Sequence, residues 1–308
     1  MAAGKPHRIK TIREFHQQRG LPKPEHPLIS VVDYSAIKHT AEFNVTSWTL
    51  DFYSISLKRN AAVKIKYGQQ DYDFDEGIMF FMAPGQVFRV EINHNMQVNH
   101  SGWMLLIHPD FLWNTSLART IKKYEFFDYS INEALFLSEK EEGTVYNIIE
   151  NIRQEYHSNI DKFSQDIIIS QIETLLNYAE RFYHRQFITR KKANHQVLDH
   201  LEKLLADYFD NEDLLKSGLP TVKYISDKLN ISPNYLRGLL KMLTGQNTQQ
   251  HIHNKLIEKA KEKLSTTDLS VSEIAYGLGF EHSQSFSKLF KTKTNLSPLA
   301  FRQSFTGN

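Results

Sequence analysis

The sequence predicts an α+β protein in which an antiparallel β domain precedes a helical segment and an all-α C-terminal domain. Three observations predict it. Apolar residues alternate with a period of two between about residues 30 and 108, and they recur every three to four positions from residue 138 onward. The last ninety or so residues repeat one two-helix unit. A chain of 308 residues also exceeds one small core, so two domains are the expectation.

Composition narrows the classes. The chain is 41% apolar and 23% charged, an ordinary globular profile. It has no cysteine, which excludes disulfides, thiolate zinc sites and cysteine nucleophiles. Residues 1–10 are polar and basic with no apolar run behind them, so no secretory signal is expected. The longest apolar runs, 78–83 and 103–107, are too short to cross a bilayer. A cytoplasmic protein without a membrane partner is expected. The net charge of +2 hides an asymmetry. From Pro220 onward there are 12 Lys or Arg against 6 Asp or Glu, which leaves 25 basic and 29 acidic residues for the rest. A basic C-terminal part on a mildly acidic body suits nucleic-acid binding.

The elements follow in order. Residues 1–29 are expected as an N-terminal extension and 30–137 as the β domain. Trp48, Leu50 and Phe52 alternate with polar neighbours, Val63, Ile65 and Tyr67 repeat the period, and residues 68–71 supply a turn before Tyr72 and Phe74. Residues 75–77 turn the chain again into a strand over 78–82. Short strands at this spacing predict an antiparallel sandwich or barrel. Residues 138–187 form the helical segment. Val145, Ile148, Ile149 and Ile152 mark one amphipathic helix, and Ile168, Ile172, Leu175, Leu176 and Ala179 mark a second. The second stripe needs cover, either from a second subunit or from the chain's own β domain, and homodimerisation is the expectation. Residues 188–194 are polar and basic and are expected to be a linker, with the all-α domain at 195–308.

Within that last domain, Thr221 caps a helix carrying Val222, Ile225 and Leu229, and Asn230-Ile231 turns the chain. Ser232 caps a second helix with Pro233 at its first position, where the missing N–H costs nothing. Leu236, Leu239, Leu240 and Leu243 form its buried stripe and Gly245 ends it. The unit at about 221–245 recurs at about 270–293. There Ser270 caps a helix burying Ile274, Ala275 and Leu278, Gly279-Phe280 turns, and a helix from about His282 buries Phe286, Leu289 and Phe290. Between them, Ile252, Leu256, Ala260 and Leu264 mark a spacer helix over 248–264, roughly 25 Å long. Such a spacer could set two second helices about 34 Å apart, one turn of B-DNA.

The run Asp268-Leu269-Ser270-Val271-Ser272-Glu273-Ile274-Ala275-Tyr276-Gly277-Leu278-Gly279-Phe280 resembles the signature of the AraC-type (AraC/XylS) family. Phe286-Ser287-Lys288-Leu289-Phe290-Lys291, Leu296-Ser297-Pro298 and Phe301-Arg302 continue the likeness in order, and Asn295 stands where the family has glycine. The likeness covers about 197–305. It implies a C-terminal double helix-turn-helix domain, double-stranded DNA as partner, RNA polymerase as a further partner of an activator, no cofactor and no enzymatic activity.

Subtracting the buried stripes leaves the candidate DNA contacts. In the first unit these are Ser232, Asn234, Arg237, Gly238 and Lys241, and the resemblance implies base contacts from Asn234, Arg237 and Gly238. Gly238 has no side chain to read a base edge. In the second unit they are His282, Ser283, Gln284, Ser285, Ser287, Lys288 and Lys291. Arg237 suits guanine and Gln284 adenine, while the lysines suit phosphate or guanine.

The β domain resembles the cupin-like effector domain that often precedes such a domain, through Glu76-Gly77-Ile78-Met79-Phe80-Phe81-Met82-Ala83-Pro84-Gly85-Gln86. Metal-binding cupins place histidine after that turn, where Phe88 stands here. His94, His100, His108, His251 and His253 show no ligand spacing, so no metal is expected. Trp48, Tyr53, Tyr67, Phe81 and Trp103 are candidates to line a pocket for a small-molecule effector, and core packing is the competing role. Control by a protein partner is the alternative, and a non-metal cupin-type binding protein or enzyme a remote one.

Overall fold

The computed structural model describes residues 6–37, 47–59, 66–67, 70–71, 77–89, 101–129, 133–158, 161, 163–189, 191–210 and 218–306. For 66–67, 70–71, 88–89, 191–193 and 305–306 it describes the backbone alone. The strands expected at Val63 and Ile65 and at Tyr72 and Phe74, like His94 and His100, lie outside the described residues. The chain divides into two compact units, residues 1–186 and 187–308. The class is α+β, as expected.

In the first unit the strands are β1 (His7–Ile9), β2 (Ile29–Asp33), β3 (Ser47–Leu50), β4 (Tyr53–Arg59), β5 (Lys66–Tyr67), β6 (Gln70–Asp71), β7 (Ile78–Met82), β8 (Val87–Arg89), β9 (Ser101–Ile107) and β10 (Leu135–Phe136). One antiparallel sheet runs β10-β7-β4-β9-β2, a second runs β1-β3-β8, and β5 pairs with β6. β4 lies central, with Ile55 opposite both Leu105 and Phe81, and Leu57 opposite both Trp103 and Met79. Such cross-strand apolar pairs are the unit of sheet stabilisation. Residues 1–29, expected as an extension, belong to the fold: β1 pairs in parallel with β3, and α1 (Ile12–Gln18) buries Ile12 and Phe15.

The short α2 (Ser116–Thr120) leads toward α3 (Glu139–Tyr156), which starts at a capping box between Ser138 and Glu141 and buries Val145, Ile148, Ile149 and Ile152. α4 (Ser164–Thr189) buries the stripe expected to dimerise. Ile172, Leu175, Leu176 and Ala179 are 0% exposed within one protomer, so this stripe offers no face to a second subunit. Further along the same helix, side chains bind the β domain. Gln186 accepts from Phe136 N at 2.9 Å and donates to Ala134 O at 3.2 Å, and Arg185 bonds both Glu141 and the Phe136 carbonyl at 2.6 Å. Tyr183 stacks on Phe126 and donates to the Glu133 carbonyl.

The second unit holds α5 (Lys191–Asp210), α6 (Val222–Leu229), α7 (Pro233–Thr244), α8 (Thr248–Thr266), α9 (Val271–Gly277), α10 (Ser283–Thr294) and α11 (Pro298–Thr306). The expected linker 188–194 is helical at 188–189 and 191–194. Its last residue, Asn194, is buried and donates to the Phe187 carbonyl, so a polar composition concealed an anchored side chain. One apolar cluster runs through the whole unit, from Leu201, Leu205 and Phe209 through Ile225, Leu236 and Leu256 to Ile274, Phe286 and Phe290.

Candidate nucleic-acid interface

Each reading unit is built from caps. Thr221 accepts from Tyr224 N to start α6, and Asn230 stops it in the left-handed region at φ 56°. Asparagine tolerates that conformation because its short amide bonds locally. Ser232 accepts from Tyr235 N at 3.2 Å, Pro233 follows, and Gly245 closes α7. In the second unit Ser270 accepts from Glu273 N at 3.1 Å while the Glu273 carboxylate accepts from Ser270 N at 2.7 Å. Those bonds favour the ionised acid and hold Glu273 below the usual carboxylate range. Asn295 ends α10 at φ 61°, doing the work of the glycine it replaces.

The inward faces of α7 and α10 are Tyr235, Leu236, Leu239 and Leu240, and Phe286 and Phe290. Tyr235, absent from the sequence-based stripe, is only 1% exposed and meets the Phe187 ring edge-on at 5.0 Å. The outward faces carry the expected contacts. Arg237 and Lys241 are exposed on α7, with Asn234 and Gly238 half-buried beside them. His282, Gln284, Ser285, Lys288 and Lys291 are exposed at and along α10, with Ser283 and Ser287 half-buried. Ser232 differs from the rest: it is 8% exposed and its oxygen serves as the cap, so its first task is to build α7.

Electrostatics separate reading helices from spacer. Neither α7 nor α10 contains an acidic residue. Lys241, Lys288 and Lys291 form no side-chain hydrogen bond or ion pair with the described residues. On α8, by contrast, Lys259 bridges Asp210 at 2.7 Å and Glu262 at 3.0 Å, which raises its pKa and lowers that of Asp210. The basic residues of α7 and α10 thus have no acidic residue on their own helix, whereas α8 sets Glu258 and Glu262 among its four lysines. α8 itself is fixed by a capping box of Asn247 and Gln250, by Thr244 against His251 at 2.9 Å, and by Arg302, which donates to Leu264 O and Leu269 O.

Of the aromatics expected to line an effector pocket, Tyr53 and Phe81 share Phe127 as a neighbour, and Trp48 packs in a different group. Trp48 packs among Ile9, Phe15 and Phe52, whereas Phe81 meets Phe126, Phe127 and Tyr183. Trp103 is 3% exposed in β9, Tyr53 lies against Phe127, and the Tyr67 side chain lies outside the description. A cleft of about 300 Å³ opens elsewhere in that unit, lined by His26, Phe111, Glu155, Tyr156, Asp161 and Gln165 among others.

Two capped helix pairs on one core, each presenting an acid-free second helix, define a tandem helix-turn-helix domain. Residues 225–304 match the family model described as a helix-turn-helix domain. The chain is 34% identical over 141 residues to the HTH-type transcriptional activator RhaS of Citrobacter koseri, covering 46% of each. It is 34% identical over 110 residues to the transcriptional regulatory protein YesN of Bacillus subtilis, covering 35% of this chain and 28% of that one. Among solved structures it is similar to the C-terminal domain of the response regulator YesN from Fusobacterium nucleatum, at 33% identity over 33% of this chain and 96% of that one, TM-score 0.29. The chain spans about half the length of the first of these curated relatives and less of the second. Residues 225–304 thus form a helix-turn-helix domain of the AraC type. Among the described residues no helix is long and apolar enough to cross a membrane.

Proposed function

We propose that the protein is a sequence-specific transcription regulator that binds double-stranded DNA through two successive major-groove segments and works in the cytoplasm. The observation that carries this is the pair of acid-free outward faces on one core, Asn234, Arg237 and Lys241 on α7 and Gln284, Lys288 and Lys291 on α10. Arg237 and Gln284 are the readers of base edges, and Lys288 and Lys291 anchor on phosphate. The N-terminal unit is the regulatory one, controlled by a small molecule. The cleft at His26, Phe111 and Tyr156 supports that reading, because its volume lies at the lower end of small-molecule sites. RNA polymerase is the further partner if the protein activates, as RhaS by its name does. Mobility shift on duplex DNA at rising salt tests the central claim. Binding weakens steeply as condensed counterions are no longer gained by release, and salt-insensitive or absent binding by folded protein refutes it.

A further inference from the structure

We propose that a backbone contact between Gly218 and Gly279, held by Tyr208, fixes the spacing at which the two helix-turn-helix units read DNA. This rests on the DNA-binding reading above and adds to it a residue set that touches no DNA.

Gly279 forms the turn of the second unit at φ +87°, and a Cβ there would stand 2.8 Å from the Gly218 carbonyl carbon, 2.9 Å from its oxygen and 3.2 Å from Leu219 N. Two backbones therefore meet with no room for a methyl group. Gly218 itself sits at φ +68°, immediately before the first unit. Its carbonyl accepts from the Tyr208 hydroxyl at 3.0 Å. The Tyr208 ring in turn meets Tyr224 of the first unit edge-on, with centroids 5.2 Å apart. Tyr208 thus brackets both units, touching α6 with its ring and holding with its hydroxyl the segment that presses on the α9–α10 turn.

The mechanical role follows from connectivity. α8 joins the units by a single covalent path, with Arg302 tying its far end to the loop at 267–270 and both helix pairs packed on the shared apolar core. The Gly218–Gly279 contact adds to these a backbone-to-backbone stop, which yields less than packed side chains do. Two readers held rigidly favour one separation of their target elements and disfavour others, because binding of the second is preorganised only at the matching geometry. Tyr208, Gly218 and Gly279 are positioning residues in this sense.

Binding-site selection from a random duplex library with the full-length chain tests the idea. Wild type selects two elements at one separation, near one helical turn of about 10 base pairs. Gly279→Ala, which drives a methyl into Gly218, and Tyr208→Leu, which removes both bracket contacts while keeping apolar bulk, select the same two elements at scattered separations. Each binds the wild-type site about tenfold more weakly, a difference worth about 1.4 kcal/mol. Gly245→Ala carries the same left-handed strain, at φ +73° with nothing within 4 Å of its Cβ, and keeps the single separation. If Tyr208→Leu retains one sharp separation, the strut is refuted whatever Gly279→Ala does. If wild type selects no two-element site, the DNA-binding reading itself has failed and the strut falls with it.

Discussion

Arg302 donates to the Leu269 carbonyl at 2.6 Å and, from its Nε, to the Leu264 carbonyl at 3.2 Å. One guanidinium therefore ties the end of the spacer helix to the loop that opens the second reading unit. Arginine suits this because its rigid fork serves two acceptors at once. Arg302→Ala is expected to destabilise the C-terminal unit by roughly 1–3 kcal/mol, since two carbonyls lose a charged donor. Urea melts followed by circular dichroism measure it. Arg302→Lys recovers at most part of the loss, and equal stability of all three proteins would show that water replaces the bonds.

Arg237 and Lys291 lie on the reading helices but are expected to fail differently. Arg237→Ala costs roughly 1–3 kcal/mol at the cognate site and relaxes the preference for one guanine, and Gln284→Ala does the same at an adenine in the neighbouring groove. Lys291→Ala weakens cognate and random DNA alike and lowers the salt slope by about one unit. Binding-site selection together with salt titration separates the two behaviours. Uniform loss across all sequences in every variant would overturn the division into readers and anchors.

Two isoleucines of α4 make a clean comparison. Ile172 is 0% exposed and Ile167 is 44% exposed. Ile172→Glu is expected to cost more than about 3 kcal/mol by burying a charge without a partner, and the N-terminal unit then melts early or fails to fold. Ile167→Glu leaves folding intact. Sedimentation of Ile167→Glu then reports on association: a shift from dimer to monomer would locate the contact on the outward face, which the buried stripe cannot supply.

His16 gives the N-terminal unit a pH dependence. Its Nδ1–H donates to the Pro22 carbonyl at 2.5 Å and its Nε2 accepts from the Ser30 hydroxyl at 2.9 Å. Burial pulls its pKa below the ordinary value of 6.5, and the Pro22 bond offsets only part of that. The unfolded chain therefore binds the proton more readily than the folded one. Stability is full above the unfolded value and declines as pH falls from there toward the lower folded value. All three tryptophans, Trp48, Trp103 and Trp113, lie in this unit, so their fluorescence reports its urea midpoint alone. The midpoint is expected to fall as pH is lowered through 6.5. His16→Gln should flatten that change, and an unchanged slope would assign the dependence to other groups.

The C-terminal unit was largely legible because its signals are local. Thr221, Ser232, Pro233, Gly245 and Ser270 act within one helical turn of themselves, and the structure uses each as a cap or a stop. Tyr235 escaped because a leucine stripe does not announce a buried aromatic, and its partner Phe187 is 48 positions away in the chain. The α4 stripe was seen but its cover was not. Periodicity tells that a face is buried and cannot tell by what, nor that Gln186, Arg185 and Tyr183 further along the same helix bind β10 and its flank. β1 was invisible for a different reason, since three residues paired in parallel with a distant strand leave no period to detect. The aromatics of the β domain looked like a set in sequence, yet Trp48 and Phe81 fall into separate contact groups, which only the sheet registers determine.

The single apolar cluster of the C-terminal unit also governs how that unit comes apart. Ile225, Leu236 and Leu240 of the first helix pair belong to the same buried group as Ile274, Phe286 and Phe290 of the second. Neither pair owns a core of its own, so the two melt in one cooperative transition and exchange their most protected amides at one common rate. A chain cut within the spacer helix would not become a reader of half a site at half strength. It would lose the fold of both readers together, so that recognition by this chain is inherited whole or lost whole.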